Sequence, residues 1–347
     1  MPMKKSLVPA SVAIIAGLAA LCGGVATADQ NGLVANTAID GPVLTFDWPA
    51  IEVGIGSYEE GPTGVTVIRF PKRASMMVDV RGGAPGTVNT DILRLGYSRP
   101  FGDAIVFSGG SAYGEETITA VATGLKDDGV RSGDFTDVAV VPGAIIYDFG
   151  GRRFNEIYPD KRLAQAALRA ARPGMFPLGA QGAGRMAMQG GYFGCNAHSG
   201  QGGAFRQVGE VKVAVFTIVN AVGAIVDREG TVVLGHRDPE KAARLALAAG
   251  VEERLSGGRP VRPPPGNTTL TVVVTNLRLE GRDLQTLGRQ VHASMARAIQ
   301  PFHALEDGDV LFAVSTGAVE SDPLLDTTAL GVVASEVAWD AVLSVVG

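Results

Sequence analysis

The chain has 347 residues, of which 46% are hydrophobic, and carries a formal net charge of −5 at pH 7. This length suits one large domain or two small ones with an ample core. A mildly acidic chain without basic clusters argues against a nucleic-acid partner, and two cysteines are too few for a disulfide scaffold.

The N-terminus has the three-part pattern of a secretory signal. Two lysines precede an apolar run from about Leu7 to Leu21, and small residues follow it. The run is shorter than the roughly 20 residues that a membrane-spanning helix needs. We therefore expect residues 1–28 to be removed on export and the mature protein, residues 29–347, to be periplasmic or secreted. Cys195 would then be its single cysteine, which excludes an intrachain disulfide.

The first part of the mature chain predicts strands broken by turns. These strands cover residues 44–47, 64–70 and 76–80. The glycine-rich stretch Arg81–Thr87 that follows lacks the lysine of a phosphate loop and the spacing of a dinucleotide fingerprint. We interpret it as a tight loop over an active site.

A second loop, Ser108–Gly114, precedes a predicted helix over residues 112–126. A nucleophile elbow of the form Gly-x-Ser-x-Gly around Ser111 would need glycine at position 113, which is Tyr113. The sequence therefore disfavours a serine hydrolase of this type, and Ser111 remains a candidate substrate-binding residue.

The apolar run Val138–Phe149 predicts a core strand with Tyr147 near its end. At that position the tyrosine hydroxyl could face a cleft. The alternative is a core tyrosine whose hydroxyl is satisfied inside the protein.

Residues 179–203 are rich in glycine and contain both Cys195 and His198. A gap of only three residues, with no orienting partner, argues against a Cys/His hydrolase built from this pair. We interpret the segment as an irregular substrate-binding loop, with Gly191 and Tyr192 as candidate contacts.

A predicted strand over residues 211–219 ends at Asn220. A side-chain amide can donate to an oxyanion, although asparagine is also common in plain turns. Further along, residues 238–250 predict a helix that begins at an Asp-Pro pair and ends at Gly250. Residues 251–265 are charged and proline-rich and predict a linker.

Thr268 stands at the head of a predicted buried strand. Three prolines rule out a helix before it, Gly266 frees the backbone, and a β-branched run extends to Asn276. A threonine hydroxyl needs an adjacent base, and a freed α-amino group, with a pKa of about 7.7 to 8, would supply one on the same residue. We expect the chain to cut its own Asn267–Thr268 bond. An ordinary proline-rich loop leading into a strand is the alternative.

An acidic pair, Asp307 and Asp309, flanks Gly308 before a predicted strand over residues 310–315. Because residues i and i+2 of an extended segment face the same way, both carboxylates could accept from Thr268 and hold its ammonium and hydroxyl. An Asp-Gly turn is the alternative.

The remaining C-terminal elements are helical. Apolar residues spaced three or four apart from Leu284 to Ile299 predict an amphipathic helix, and Asp326 predicts the cap of a final helix. The four histidines include no pair at the helical spacing of a zinc site, so we predict no metal.

Several long motifs resemble the nylon-oligomer hydrolases within the DmpA-type family of self-processing N-terminal-nucleophile aminopeptidases. The resemblance spans roughly residues 46–345 and is carried by Tyr58–Gly64, Ile146–Phe149, Gly200–Arg206, Gly266–Thr269, Val272–Asn276, Gln290–Met295, Ile299–His303 and Asp307–Val314. It implies an α+β fold, an αββα sandwich with two sheets between helical layers. It also implies a single catalytic domain cleaved into an α chain, residues 29–267, and a β chain, residues 268–347.

The resemblance further implies a role for each candidate residue. Thr268 would be the nucleophile and its own amine the base, with Asp307, Asp309, Tyr147 and Asn220 as positioning and oxyanion groups. The enzymes that the chain resembles carry an active-site lysine in the glycine-rich segment, where the best-matched position here is Gly190, Gly191 or Tyr192. No cofactor is implied, and the assembly would be a tetramer of processed pairs.

The implied activity is hydrolysis of linear amides, namely 6-aminohexanoate oligomers or nylon-like polyamides cut within the chain. The alternatives are an aminopeptidase or β-aminopeptidase, a D-amino-acid amidase or esterase, an acyltransferase, and a non-enzymatic periplasmic binding protein. The binding protein differs from the enzymes in predicting one intact chain. No nucleic-acid or membrane partner is expected.

Overall fold

A computed structural model describes residues 30–94, 96, 100–132, 134–149, 156–236, 244–258, 266–320 and 325–346. The predicted signal and the predicted start of the helix at residues 238 and 239 lie outside these residues. Within the described ranges, no helix is long and apolar enough to cross a bilayer.

The secondary structure is mixed. The strands are β1 (Val43–Thr45), β2 (Glu52–Tyr58), β3 (Thr63–Val80), β4 (Thr87–Val88), β5 (Phe101–Ser108), β6 (Gly143–Ile145), β7 (Arg172–Pro173), β8 (Met175–Pro177), β9 (Met188–Gln189), β10 (Ala197–His198), β11 (Gly200–Val208), β12 (Val211–Asn220), β13 (Ala224–Val226), β14 (Val232–Leu234), β15 (Thr268–Leu277), β16 (Ile299–Gln300) and β17 (Val310–Val319). The α-helices are α1 (Glu116–Asp127), α2 (Lys161–Arg169), α3 (Arg244–Ser256), α4 (Gly281–Ser294) and α5 (Thr327–Leu343).

The main sheet has the strand order β11-β12-β15-β17-β3-β5-β6-β4, with β2 also paired to β3. Strand β3 is 18 residues long and joins two layers, because its first part pairs with β2 and β5 and its last part with β17. Its register with β5 shifts between Arg69 and Ala74, around Pro71, which has no N–H to donate. The prediction of two separate strands here was wrong, since a bulge bends the strand without ending it.

Successive side chains of a strand point to opposite faces of the sheet, so the apolar side chains form three layers. Phe70, Phe107, Phe216 and Phe312 lie in the core between the two sheet layers. Helices α4 and α5 cover one outer face, where Leu287 and Val337 pack on Val273 and Leu311. Helices α1 and α2 cover the other, where Val121 and Leu163 pack on Val67 and Val106. The αββα sandwich is therefore confirmed.

Two predicted boundaries were wrong. Helix α3 continues through Gly250 to Ser256, so residues 251–256 are not a linker. Nothing lies within 4 Å of a Cβ built on Gly250, and a helix tolerates one internal glycine at a cost of about 1 kcal/mol. Residues 200–203, which we predicted to belong to the irregular loop, begin β11 instead.

The predicted cap of the last helix is confirmed, because the Asp326 carboxylate accepts from the Ala329 N–H at 2.7 Å.

Phe312 lies in the core between the sheet layers and allows a test of that core. Its side chain is fully buried, and the centroid of its ring is 6.2 Å from that of Phe107. Phe312→Ala should lower the free energy of unfolding by about 3–5 kcal/mol, because it opens a cavity in a packed core. Urea unfolding followed by circular dichroism measures this loss. The control Val332→Ala, at a side chain that is 57% exposed on α5, should change stability by less than about 0.5 kcal/mol. Equal losses in the two variants would contradict the layer assignment.

Candidate active site

Thr268 is the first residue of β15, and two pairings fix its neighbours. The antiparallel pairing with β12 places Asn220 opposite Thr268. The strand runs parallel to β17, and a bridge just before both strands places Asn267 beside Asp307. The sheet register thus brings the threonine, the amide and the acidic pair to one end of the sheet.

The carbonyl of Asn267 receives two hydrogen bonds. The Thr268 hydroxyl donates to it at 2.5 Å, and the Gly308 N–H donates at 2.9 Å. A backbone N–H aimed at this oxygen would stabilise the negative charge that develops if the carbonyl carbon is attacked. Sequence reasoning missed this donor, because a backbone N–H leaves no signal beyond the glycine itself.

Gly308 fits its place because it has no side chain. A Cβ there would lie 2.8 Å from the Thr268 hydroxyl oxygen and 2.4 Å from the Ala84 carbonyl oxygen. Ala84 belongs to the stretch Arg81–Thr87, whose backbone also donates from Arg81 to Asp309 and from Ala84 to Asp307. The predicted loop over the active site thus packs directly on the acidic segment.

The Asn220 side chain is held by three hydrogen bonds. Its Nδ2 donates to the carbonyls of Gly266 and Tyr147, each at 3.2 Å, and its Oδ1 accepts from the Met188 N–H at 2.9 Å. Its amide protons therefore point at the Gly266 and Tyr147 carbonyls. The Asn267 carbonyl takes its backbone donor from Gly308 instead.

Tyr147 contacts the site through its carbonyl and its ring. It follows β6, which ends at Ile145, so the expected long core strand was wrong. The ring packs edge-on against Phe149, with centroids 5.3 Å apart, and lies against Gly266. These contacts support the backbone before the Asn267–Thr268 bond, whereas the sequence had suggested a role for the hydroxyl.

Asp307 and Asp309 are fully buried and have different partners. Asp307 accepts from the backbone N–H groups of Val222 at 3.2 Å and Ala304 at 3.3 Å. Asp309 accepts from the Thr269 N–H at 2.8 Å and from the His303 N–H at 3.0 Å. In this structure Asn267 and Thr268 are still joined, and the Thr268 hydroxyl bonds the Asn267 carbonyl. The expectation that both carboxylates hold the ammonium and hydroxyl of Thr268 concerns the cleaved chain and stays a prediction.

The pKa of Asp307 lies near neutral pH. Burial, reinforced by the neighbouring Asp309 carboxylate, raises the pKa of Asp307 from 3.8 to about 7. A group with a pKa near the working pH can serve both as general base and as general acid.

The predicted substrate loop packs close to the acidic pair. Residues Gly191–Phe193 form a 3₁₀ turn in which the Tyr192 N–H donates to the Val222 carbonyl at 3.2 Å. Val222 in turn donates to Asp307. Tyr192 also borders a cavity of about 450 Å³, whose other walls are Phe193, Leu247, Ala248, Val251, Gln300 and Pro301.

The structure also places two further residues that the sequence suggested for the site, Gly190 and Ser111. A Cβ on Gly190 would lie 2.3 Å from the Gly235 carbonyl oxygen, and its φ is +78°, so this backbone has no room for a lysine at position 190. Ser111 donates its N–H to the Ile146 carbonyl at 3.0 Å and lies beside the segment that carries Tyr147. This hydrogen bond joins Ser111 to that segment, and none between Ser111 and Thr268 is present in the described part of the chain. Within the described ranges, no group of three His, Cys, Asp or Glu side chains could hold a metal ion.

The contact between Gly266 and Tyr147 generates a stability prediction. Gly266 has φ +83°, and a Cβ there would lie 2.4 Å from the Tyr147 ring. Gly266→Ala should therefore lower the midpoint of thermal unfolding more than Gly129→Ala does. Gly129 is the matched control, because its φ is +71° and nothing lies within 4 Å of its Cβ position. Both variants carry the backbone cost of a left-handed alanine, so only the clash separates them. Equal shifts in midpoint would contradict the contact.

The pKa of Asp307 makes stability depend on pH. Because this pKa is raised in the folded chain, the unfolded chain releases the proton at lower pH, and the free energy of unfolding should fall as pH rises from about 4 to about 7. Asp307→Asn should flatten this fall. Urea unfolding between these pH values measures it, with Thr268→Ala in every chain so that the expected break before residue 268 does not interfere. Asp91→Asn, at a side chain 79% exposed, is the control that should keep the wild-type slope. An unchanged slope in Asp307→Asn would contradict the assignment.

Comparison with known proteins places this geometry in a family. The 6-aminohexanoate-oligomer endohydrolase of Paenarthrobacter ureafaciens is 42% identical over 311 residues, which cover 87% of this chain and 85% of the relative. The enzyme of the same name from Kocuria sp. is 41% identical over 310 residues, which cover 86% of this chain and 85% of the relative.

The solved structures agree on the fold. The L-aminopeptidase D-Ala-esterase/amidase of Ochrobactrum anthropi, described as a variant among the Ntn hydrolase fold, matches with a TM-score of 0.64 and 16% identity over 89% of this chain and 88% of that chain. The model of peptidase family S58 matches residues 44–346. With this match over most of its length, the chain belongs to peptidase family S58.

Proposed function

We propose that the chain cuts itself between Asn267 and Thr268 and that Thr268, as the new N-terminus, is the nucleophile of an amide hydrolase. The observation that carries the proposal is the Asn267 carbonyl, which the Thr268 hydroxyl meets at 2.5 Å while the Gly308 N–H donates to it at 2.9 Å. Nucleophile, scissile carbonyl and oxyanion donor are together in the uncut chain.

Self-cleavage would begin with attack of the Thr268 hydroxyl oxygen on the Asn267 carbonyl carbon. The hydroxyl proton passes to a base, and the Gly308 N–H stabilises the oxyanion. The C–N bond then breaks, its nitrogen takes a proton to become an amine, and Asn267 is left as an ester on the threonine oxygen. Water hydrolyses that ester to the Asn267 carboxylate and a free hydroxyl. We assign the proton to Asp307, because its backbone is bridged to Asn267 and its pKa of about 7 allows both steps near neutral pH.

Cleavage would also complete the site for an external substrate. The new α-amine, with an ordinary pKa of about 7.7 to 8, would lie next to the buried acidic pair and serve Thr268 as its base. Departure of residues 266 and 267 would free the Gly308 N–H and one Asn220 N–H that bind their carbonyls in the uncut chain. Both donors could then bind the carbonyl of a substrate amide. The acyl part would form an ester on Thr268, the amine would leave, and water would release the acid.

For the substrate we propose linear amides of the 6-aminohexanoate-oligomer or nylon type, cut within the chain. Support comes from the relatives named for this activity, which are 41–42% identical to this chain. It also comes from the cavity beside Tyr192, whose walls are mostly apolar and would suit a polymethylene chain. Tyr192 and Gly191 would then contact the substrate, and Ser111 would contribute through the segment that carries Tyr147.

We further propose that the protein is exported after removal of residues 1–28 and that processed pairs form a homotetramer. The N-terminal pattern of lysines, apolar run and small residues supports export. N-terminal sequencing of secreted protein and sedimentation velocity test these two points. A mature chain that retains residues 1–28, or a single processed pair at all concentrations, would exclude them respectively.

Mass spectrometry of the purified protein tests the nucleophile. Wild type should yield an 80-residue fragment, residues 268–347, beginning Thr-Thr-Leu-Thr. Thr268→Ala should remain one chain and lose hydrolysis of 6-aminohexanoate oligomers, whereas Thr268→Ser keeps a hydroxyl and should still be cut. Turnover by an uncut Thr268→Ala chain would overturn the mechanism. Cleavage of short peptides from their N-termini, with no action on the oligomers, would overturn the substrate.

A further inference from the structure

A pair of histidines lies behind the acidic pair, on the face of the sheet that α4 covers. His292 belongs to α4 and its side chain is 1% exposed, and His303 lies in the segment before Asp307 with its side chain 19% exposed. The two rings meet edge to face, with centroids 4.4 Å apart and planes at 82°. The mechanism above uses neither histidine.

The pair connects two carboxylates. At one end, the His292 Nδ1 lies 2.9 Å from the Asp79 carboxylate of β3, which also accepts from the Arg81 guanidinium at 2.7 Å. At the other end, the His303 Nδ1 lies 3.0 Å from the Oδ2 atom of Asp309. The other oxygen of Asp309 accepts from the Thr269 N–H. A continuous set of contacts thus runs from β3 to the residue that follows Thr268.

The carboxylate partners determine which ring nitrogen of each histidine carries the proton. Each Nδ1 faces a carboxylate oxygen, which can only accept when ionised, so each Nδ1 carries the proton. Burial lowers the pKa of His292, which favours its neutral form. Both Nε2 atoms are buried and have no hydrogen-bond partner among the described residues. In the described part of the chain, the hydrogen bond to Asp309 is therefore the only one that the His303 ring makes.

We propose that His303 is a positioning residue for Asp309, held in place by the Asp79–His292 pair. Its Nδ1–H fixes one oxygen of the carboxylate, so that the other oxygen holds the Thr269 N–H and thereby the backbone of Thr268. Asp309 also receives the His303 backbone N–H at 3.0 Å, so the side-chain bond adds orientation to an existing anchor. The inference rests on the proposed role of Thr268 and adds a residue that acts through Asp309.

Two substitutions separate the hydrogen bond from the backbone. His303 has φ +60°, a conformation that both glycine and asparagine adopt at little cost. His303→Asn keeps a side-chain N–H near the position of Nδ1, whereas His303→Gly removes the donor and opens a space that imidazole can fill. We expect His303→Gly to slow both self-cleavage and kcat by about 10- to 100-fold with KM nearly unchanged, as for loss of a hydrogen bond to a charged group.

His303→Asn should stay within about fivefold of wild type, and added imidazole should restore part of the activity of His303→Gly but leave wild type unchanged. Thermal unfolding of each variant accompanies the kinetics. Wild-type rates in His303→Gly would overturn the inference. So would equal losses in both variants with no effect of imidazole, because the ring would then be structural only.

Failure of the proposed function and failure of the inference about His303 give different results. If wild type is never cut, or if Thr268→Ala still turns over, the proposed function fails whatever His303 does. If wild type is cut at Thr268 and the His303 variants match it, the positioning inference alone fails.

Discussion

The parallel pairing of β15 with β17 is the constraint on which the rest of the site depends. It continues upstream of both strands as the bridge between Asn267 and Asp307, so the bond before Thr268 lies against the Gly308 N–H. A slip of one residue would turn Thr268 to the other face of the sheet and remove the donor from the carbonyl. Burial of every residue of β15 specifies this register strongly. The geometry of the bond that we propose to break is thus maintained by the packing of an ordinary core strand.

The same arrangement buries two carboxylates side by side, which is electrostatically unfavourable in the uncut chain. Backbone N–H groups from Val222, Ala304 and Thr269 offset part of this cost. Asp307 responds by holding its proton up to a pKa of about 7. In the proposed mechanism Thr268 gains a free amine beside the pair, and this amine is positively charged whenever it holds a proton. The uncut site would then be electrostatically incomplete, and cleavage would supply the missing counter-charge.

Three glycines near the candidate site lie in close contact with backbone or side-chain atoms of other segments. Glycine at positions 190, 266 and 308 leaves no space for a side chain, because the nearest atoms belong to Gly235, Tyr147 and Ala84 respectively. This excludes a lysine at position 190, which is one of the three positions, 190 to 192, that best match the lysine of the enzymes that the chain resembles. The cavity beside Tyr192 is bordered mostly by aromatic and aliphatic side chains, together with Gln300. Substrate selection in this chain is thus expected to rest on apolar contact more than on a charged group in that loop.

The sequence by itself determined the elements that local physics controls. Prolines and β-branched residues around Thr268 define a strand with that threonine at its head, and apolar spacing defines α4 and α5. Only the tertiary structure decided which groups meet. The Gly308 N–H on the Asn267 carbonyl, the pairing of His292 with Asp79 and of His303 with Asp309, and the bend that lets β3 join two sheet layers depend on contacts between distant parts of the chain. Such contacts are set by strand register and by the packing of one layer on another. Neither is encoded in the spacing of neighbouring residues, which is why backbone donors and bulges were missed while strands and helices were found.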